Sequence, residues 1–200
     1  MQIMDLNVEH SLQDDSLRKQ IWQQLQRASV DKHHEWRSPV LVTNGLGNNQ
    51  DSAQNNWPDA RTVILRAVDL NLYTLTFYTD SRSPKVSQLL SNPNALLVFW
   101  SKRLNWQLRV KVTISVIVGG ELHQKTWKIV KQSATAKDYL SLKAPGELLT
   151  NNTKKTESEL TTPHFAMLIA QVISIDWLAL SRDGHQRAII NSSGIKLVVP

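Results

Sequence analysis

The sequence predicts an α+β protein built on an antiparallel β-barrel of six or more strands with short flanking helices. Segments of strand length, rich in β-branched residues, recur from Pro39 to Val199. Turn signals separate them, among them Val68-Asp69-Leu70-Asn71, Gly119-Gly120, Asp183-Gly184 and Ser192-Ser193-Gly194. The helical patterns between them are short, and the combination argues for an antiparallel barrel of the α+β kind.

A chain of 200 residues with 41% apolar content is enough for one sizeable core, so one domain over residues 1–200 is expected. The chain has no cysteine, which removes disulfides, thiolate metal sites and a cysteine nucleophile. Met1 to Leu12 mixes polar and charged residues and carries no secretion signal, and the most apolar run, Phe165 to Leu180, is broken by Gln171 and Asp176 and too short for a spanning helix. A soluble, cytoplasmic protein is expected, with no membrane partner. The net charge of +6 is spread from Arg18 to Lys196, with only short concentrations at Lys102-Arg103 and Lys154-Lys155. Scattered cations read as a solvated surface rather than a nucleic-acid face, and they also suit an anionic small ligand.

Asp14-Asp15-Ser16 precedes Leu17, Ile21 and Leu25 at four-residue spacing, which predicts an amphipathic helix over roughly residues 15–28. His33-His34 follow in a polar turn; adjacent histidines project apart and lack a third ligand, so no metal site is expected. Pro39 to Thr43 reads as the first strand, and residues 44–56, rich in Asn, Gln and Gly, as an exposed loop. Its Gly45-Leu46-Gly47 lacks the third glycine and following helix of a dinucleotide fingerprint, and no nucleophile elbow or phosphate loop occurs elsewhere.

Arg61-Thr62-Val63-Ile64-Leu65-Arg66 is expected to form one strand, returning through a turn to a strand from Tyr73 to Thr79. Ser83-Pro84 is a helix start, with Val86, Leu89 and Leu90 at core spacing and Asn92-Pro93 as the stop. A helix N-terminus favours an anion, and Lys85 and Arg82 add full charges there, so this stretch is the candidate phosphate site. Ala95 to Trp100 reads as a strand buried on both faces. Gln107 to Val118 alternates between Leu108, Val110, Val112 and Ile114 on one face and Gln107, Arg109, Lys111 and Thr113 on the other. Helices are expected over Leu122–Ser133 and Tyr139–Leu149, a polar loop over 150–162, and strands over 165–180, 185–190 and 195–199.

Together these residues resemble the pyridoxamine 5'-phosphate oxidase family, the FMN-binding split barrels, from about Val40 to Pro200. The resemblance rests on Arg61-Thr62-Val63-Ile64-Leu65-Arg66, Phe77-Tyr78-Thr79, Ser83-Pro84-Lys85, Asn92-Pro93, Gln107, and Trp177 followed by His185-Gln186-Arg187. It implies a homodimer with FMN at the subunit interface. Arg61, Lys85 and Ser83 then hold the FMN phosphate, Thr62, Val63, Ile64 and Leu65 lie along the flavin ring with Tyr78 and Thr79 beside it, and Gln107, Trp177 and Arg187 complete the contacts. Arg66 and His185 face a small-molecule substrate, with hydride transfer to the flavin as the reaction. A related reading is a flavin- or haem-binding split barrel without pyridoxamine phosphate oxidase activity.

The chain also departs from the family pattern. Pro84 replaces an arginine between the serine and the lysine, and the substrate arginine before the histidine has Asp183 or Arg182 in its place. The Trp127–Ser141 region offers Lys128, Lys131 and Ser133 but no arginine for a substrate phosphate.

Overall fold

The computed structural model describes residues 3–45, 57–148 and 163–200, with side chains described from residue 16 onward. The loops expected over 44–56 and 150–162 fall almost wholly outside those residues. Helix α1 (Ile3–Val30) is longer than the predicted helix. Its Ile21, Trp22, Leu25 and Ala28 recur on one face and are buried against the barrel. A 3-10 turn at Glu35–Arg37 then drives Trp36 into the core, where it is fully buried and meets Phe99 edge-on at 6.1 Å.

The described strands are β1 (Val40–Asn44), β2 (Pro58–Thr62), β3 (Leu65–Asp69), β4 (Thr74–Asp80), β5 (Asn94–Ser101), β6 (Trp106–Ile117), β7 (Phe165–Ala179), β8 (Gln186–Asn191) and β9 (Gly194–Val198). They form one antiparallel sheet in the order β2-β1-β5-β6-β7-β4-β3, with β8 and β9 added beside β7. The end strands of that path, β2 and β3, are consecutive in the chain, so the sheet curls back on itself around a core that includes Leu41, Leu65, Phe77, Leu97, Phe99, Leu108 and Val110. Helix α2 (Pro84–Ser91) packs on β1 and β6, and α3 (Gly120–Val130) lies beside β7.

Three predicted elements are corrected. The strand expected over Arg61–Arg66 is two strands, because β2 pairs with β1 whereas β3 pairs with β4. The chain crosses between the two ends of the sheet at Val63-Ile64, where the Val63 N–H donates to the Pro39 carbonyl at 3.0 Å; both residues are apolar and β-branched, so nothing in the pattern marks the corner. Ala95 to Trp100 is buried on one face only, with Leu97 and Phe99 inside and Trp100 45% exposed. Residues 139–148 form a 3-10 end and turns instead of a helix, since Pro145 disfavours a helical Ala144 and Gly146 adopts φ 88°. Among the described residues no helix is long and apolar enough to cross a membrane, and no cluster of three His, Asp or Glu is arranged to hold a metal.

Candidate functional site

The predicted phosphate residues converge. Arg61 on β2 and Lys85 at the start of α2 approach one patch of buried polar groups made of Thr43, Thr79, Ser83 and Gln88. Lys85 Nζ donates to Thr79 Oγ1 and Ser83 Oγ, both at 3.1 Å. Arg61 donates to Thr43 Oγ1 and, at 3.1 Å, to Gln88 Oε1, and it pairs with Asp59. Burial lowers the Lys85 pKa below that of an ordinary lysine, and the neighbouring Arg61 charge lowers it further. The hydrogen bond from Gln88 is the main cause of the lowered Asp59 pKa.

Two features of this patch differ from the sequence reading. Ser83 sits at the N-cap of α2 in extended conformation, yet its side chain does not cap the helix; its hydroxyl donates to the Asp80 carbonyl at 2.8 Å. Arg82 is engaged away from the Arg61–Lys85 patch. It makes a two-pronged pair with Asp80 at 3.0 and 2.7 Å and donates to the Ser141 carbonyl at 2.8 Å, so its charge is used to fasten the 141–143 segment beside α2.

Of the residues expected along a flavin ring, Val63 and Leu65 turn into the core, while Thr62 is exposed and Ile64 half-buried. Tyr78 and Thr79, as neighbours on β4, point to opposite faces: Thr79 joins Lys85, and Tyr78 joins Arg66. Arg66 is the extra residue of a β-bulge between Leu65 and Ala67. The bulge aims its guanidinium over the Tyr78 ring, 5.7 Å from the centroid. Its Nε is buried without a partner, and its charge lies near Tyr139, whose pKa burial pushes up. Tyr139 belongs to a second apolar cluster with Trp127, Phe165 and Met167. Sequence reasoning missed Thr43, Gln88 and Tyr139, although Gln88 is a polar residue on the buried side of an otherwise apolar helix face, which is a signal.

Gln107 and Arg187 are brought together elsewhere. The register Trp100↔Gln107↔Leu178↔Arg187 puts them on one row of the sheet's outer face. Arg187 is held by Asp176 at 2.9 and 2.8 Å, and Arg109 pairs with the same carboxylate, whose pKa these arginines lower. Trp177 lies on the opposite, inner face, between Leu108 and Ala188; it is 5% exposed and packs edge-on against Trp106 at 5.3 Å. Alternation along β7 decides this, since Trp177 and Leu178 cannot face the same side. His185 is exposed in the turn before β8, its Nδ1 accepting from the Ser181 N–H at 3.3 Å. Among the described residues no hydrogen bond or ring contact joins the Arg61–Lys85 patch or Arg66 to Gln107, Arg187 or His185.

An antiparallel barrel closed at the β2–β3 corner, with two cations and several hydroxyls gathered at a helix start, defines a split-barrel protein. The fold is shared with a pyridoxamine 5'-phosphate oxidase-related, FMN binding protein from Nostoc punctiforme, at a TM-score of 0.65 and 19% identity over 92% of this chain and 96% of that one. It is shared also with PhzG from Burkholderia lata, solved in complex with tetrahydrophenazine-1-carboxylic acid, at 0.64 and 15% over 92% and 91%. The family model of the pyridoxamine 5'-phosphate oxidase FMN-binding domain matches residues 18–118, half of the chain, and the chain belongs to that family.

Curated relatives match over a shorter stretch. A pyridoxine/pyridoxamine 5'-phosphate oxidase from Maricaulis maris is 41% identical over 64 residues, which is 32% of this chain and 28% of the relative. One from Microcystis aeruginosa is 40% identical over 60 residues, 30% and 27% respectively. The matched stretch therefore spans under a third of these relatives' own length.

Proposed function

We propose that this chain binds FMN with the phosphate between Arg61 and Lys85, and that it is an FMN-dependent oxidoreductase acting on a small molecule. The observation that carries this reading is the pairing of two cations around buried hydroxyls. Burial and, after it, the neighbouring Arg61 charge disfavour the Lys85 ammonium, and a phosphate placed between the two cations offsets that cost. The donor set fits such a group. Lys85 directs two of its three protons at Thr79 and Ser83, leaving a third. The Lys85 backbone N–H lies in the first turn of α2, at the positive end of the helix and ahead of any intrahelical acceptor.

Bound there, FMN supplies hydride-level redox chemistry, and the chain supplies position and charge. Gln107 and Arg187 stand apart from the clamp, on the outer face of the sheet. We therefore assign them to the flavin held by a second copy, which makes the working unit a homodimer. Arg66, aimed by its bulge, and His185 of the second copy are assigned to the substrate side. Trp177, a core residue, is given no flavin contact.

The test is a fluorescence titration with FMN. Arg61→Ala and Lys85→Ala each remove a charged partner, worth about 1.5 to 3 kcal/mol, and are expected to weaken binding about tenfold or more with the circular dichroism spectrum unchanged. Unaltered affinity in both variants places the phosphate elsewhere.

Pyridoxamine 5'-phosphate is expected to be a poor reductant of the loaded protein. As a phosphate ester it needs its own anion clamp, for which a bidentate arginine is best suited. Trp127–Ser141 has no arginine, and Lys128 and Lys131 are exposed. A misplacement of about 1 Å at the reacting carbon can cost about a hundredfold in rate. Anaerobic mixing, followed by the oxidised-flavin absorbance, decides the matter; rapid bleaching makes the protein an ordinary oxidase of vitamin B6 phosphates.

A further inference from the structure

A cavity of about 330 Å³ opens between α1, the β3–β4 turn and the strands β7 and β8. Trp22 and Tyr73 meet edge to face at 5.2 Å along one wall, and Ile173 and Ile190 line another side. Tyr73 holds its place with a left-handed backbone, φ 51°, a conformation that bulky residues adopt only when the surroundings require it. Arg18 reaches into this space from α1. One Nη2 proton is donated to the Asn191 carbonyl at 3.2 Å, while Nε is buried and has no partner among the described residues.

A desolvated N–H on a permanent cation is unfavourable until an acceptor reaches it. Among the described residues the lining contains no Asp or Glu that could do so. An adjoining hollow of about 370 Å³ shares Arg18, Trp22 and Tyr73 and also has no acidic residue among the described ones. None of the lining residues belongs to the flavin clamp or to the outer-face row of Gln107 and Arg187.

We propose that this cavity is a binding site for a small aromatic carboxylate. The carboxylate accepts from Arg18 Nε–H and a neighbouring Nη proton, the planar edge that matches its two oxygens. The ring lies against Trp22 and Tyr73, over the isoleucines, in a volume within the ordinary range for such ligands. A single cation with one edge already half committed to Asn191 compensates one negative charge. A phosphate dianion would keep one charge unpaired in apolar surroundings, so the monoanion is preferred.

The probe is 2-naphthoate, titrated into the full-length protein while the Arg18 Nε–H resonance and the Ile173 and Ile190 methyl resonances are followed by NMR. These signals are expected to shift together and saturably, with the neutral 2-naphthalenemethanol and the dianionic phenyl phosphate each bound at least about tenfold more weakly. Arg18→Met is expected to abolish the preference for the carboxylate, and Arg18→Lys, which keeps the charge without the planar edge, to reduce it. The ligand comparison uses the unaltered protein, so it decides even if a variant fails to fold. Absence of saturable shifts, equal binding of the neutral analogue, stronger binding of the phosphate, or shifts confined to the Arg61 and Lys85 region would each overturn the proposal.

Discussion

Single residues in this protein are set by how their polar atoms are satisfied once water is gone. His34 is 8% exposed, accepts the Trp36 N–H on Nδ1 at 3.1 Å and therefore carries its proton on Nε2, directed at Gln24 Oε1 at 3.0 Å. Burial lowers its pKa, and the charges of Arg103 and Arg27 lower it further. The folded state thus binds the extra proton less readily than the unfolded chain, whose histidine titrates near about 6.5. Stability is full above that value and is lost as pH falls through it toward the folded pKa, by at most about 1.4 kcal/mol per pH unit from this one group. Urea unfolding at a series of pH values is expected to show this slope in the unaltered protein and a shallower one in His34→Gln. An identical slope in both would mean that protonated His34 is tolerated in the fold.

At the scale of elements, function depends on small irregularities in regular strands and helices. The bulge at Arg66 turns that side chain toward Tyr78 and Tyr139. The short helix α2 presents Lys85 and Gln88, one turn apart on the same side, to the patch that Arg61 reaches from β2, Gln88 accepting from Arg61 and Lys85 donating to Thr79. Arg82 ties this helix start to the 141–143 segment through Asp80, whose side chain is only 5% exposed. Removing the guanidinium leaves a buried carboxylate short of its strongest partner, so Arg82→Ala is expected to destabilise the fold by about 2 kcal/mol. Hydrogen exchange is expected to speed up at residues 141–143 and in the first turn of α2, ahead of the barrel strands. Exchange unchanged at both places would show that Arg82 contributes only surface charge.

At the scale of the whole molecule, the barrel leaves one outer face unlike an ordinary wet surface. Val40 and Trp100 remain 37% and 45% exposed there, beside Gln107 and the arginine pair on Asp176. A second copy covering this face would bring Gln107 and Arg187 to its own Arg61 and Lys85 clamp, and an interface of that kind buries over about 2,000 Å². Light scattering at low micromolar concentration is expected to report a dimer. A monomer under those conditions removes the shared flavin site, while leaving the Arg61–Lys85 clamp to be judged by its own titration.

The sequence by itself determined the α+β barrel class, the strands from β4 through β9 to within a few residues, and the cationic helix start at Ser83-Pro84-Lys85, because alternation and helix-start chemistry are written in neighbouring residues; Arg61 joins that start only through the family resemblance. It did not determine the corner at Val63-Ile64, where apolar β-branched residues serve a strand and a strand break equally well. Nor did it show that Arg82 is consumed by Asp80, that Trp177 faces inward while Arg187 faces outward, or that Tyr139 meets Arg66 across 73 positions of sequence. Those outcomes depend on which strand lies beside which, and register is fixed only when the sheet closes. A side chain's type is a local property, but its partner is decided by long-range pairing, and the pairing exists only in the folded barrel.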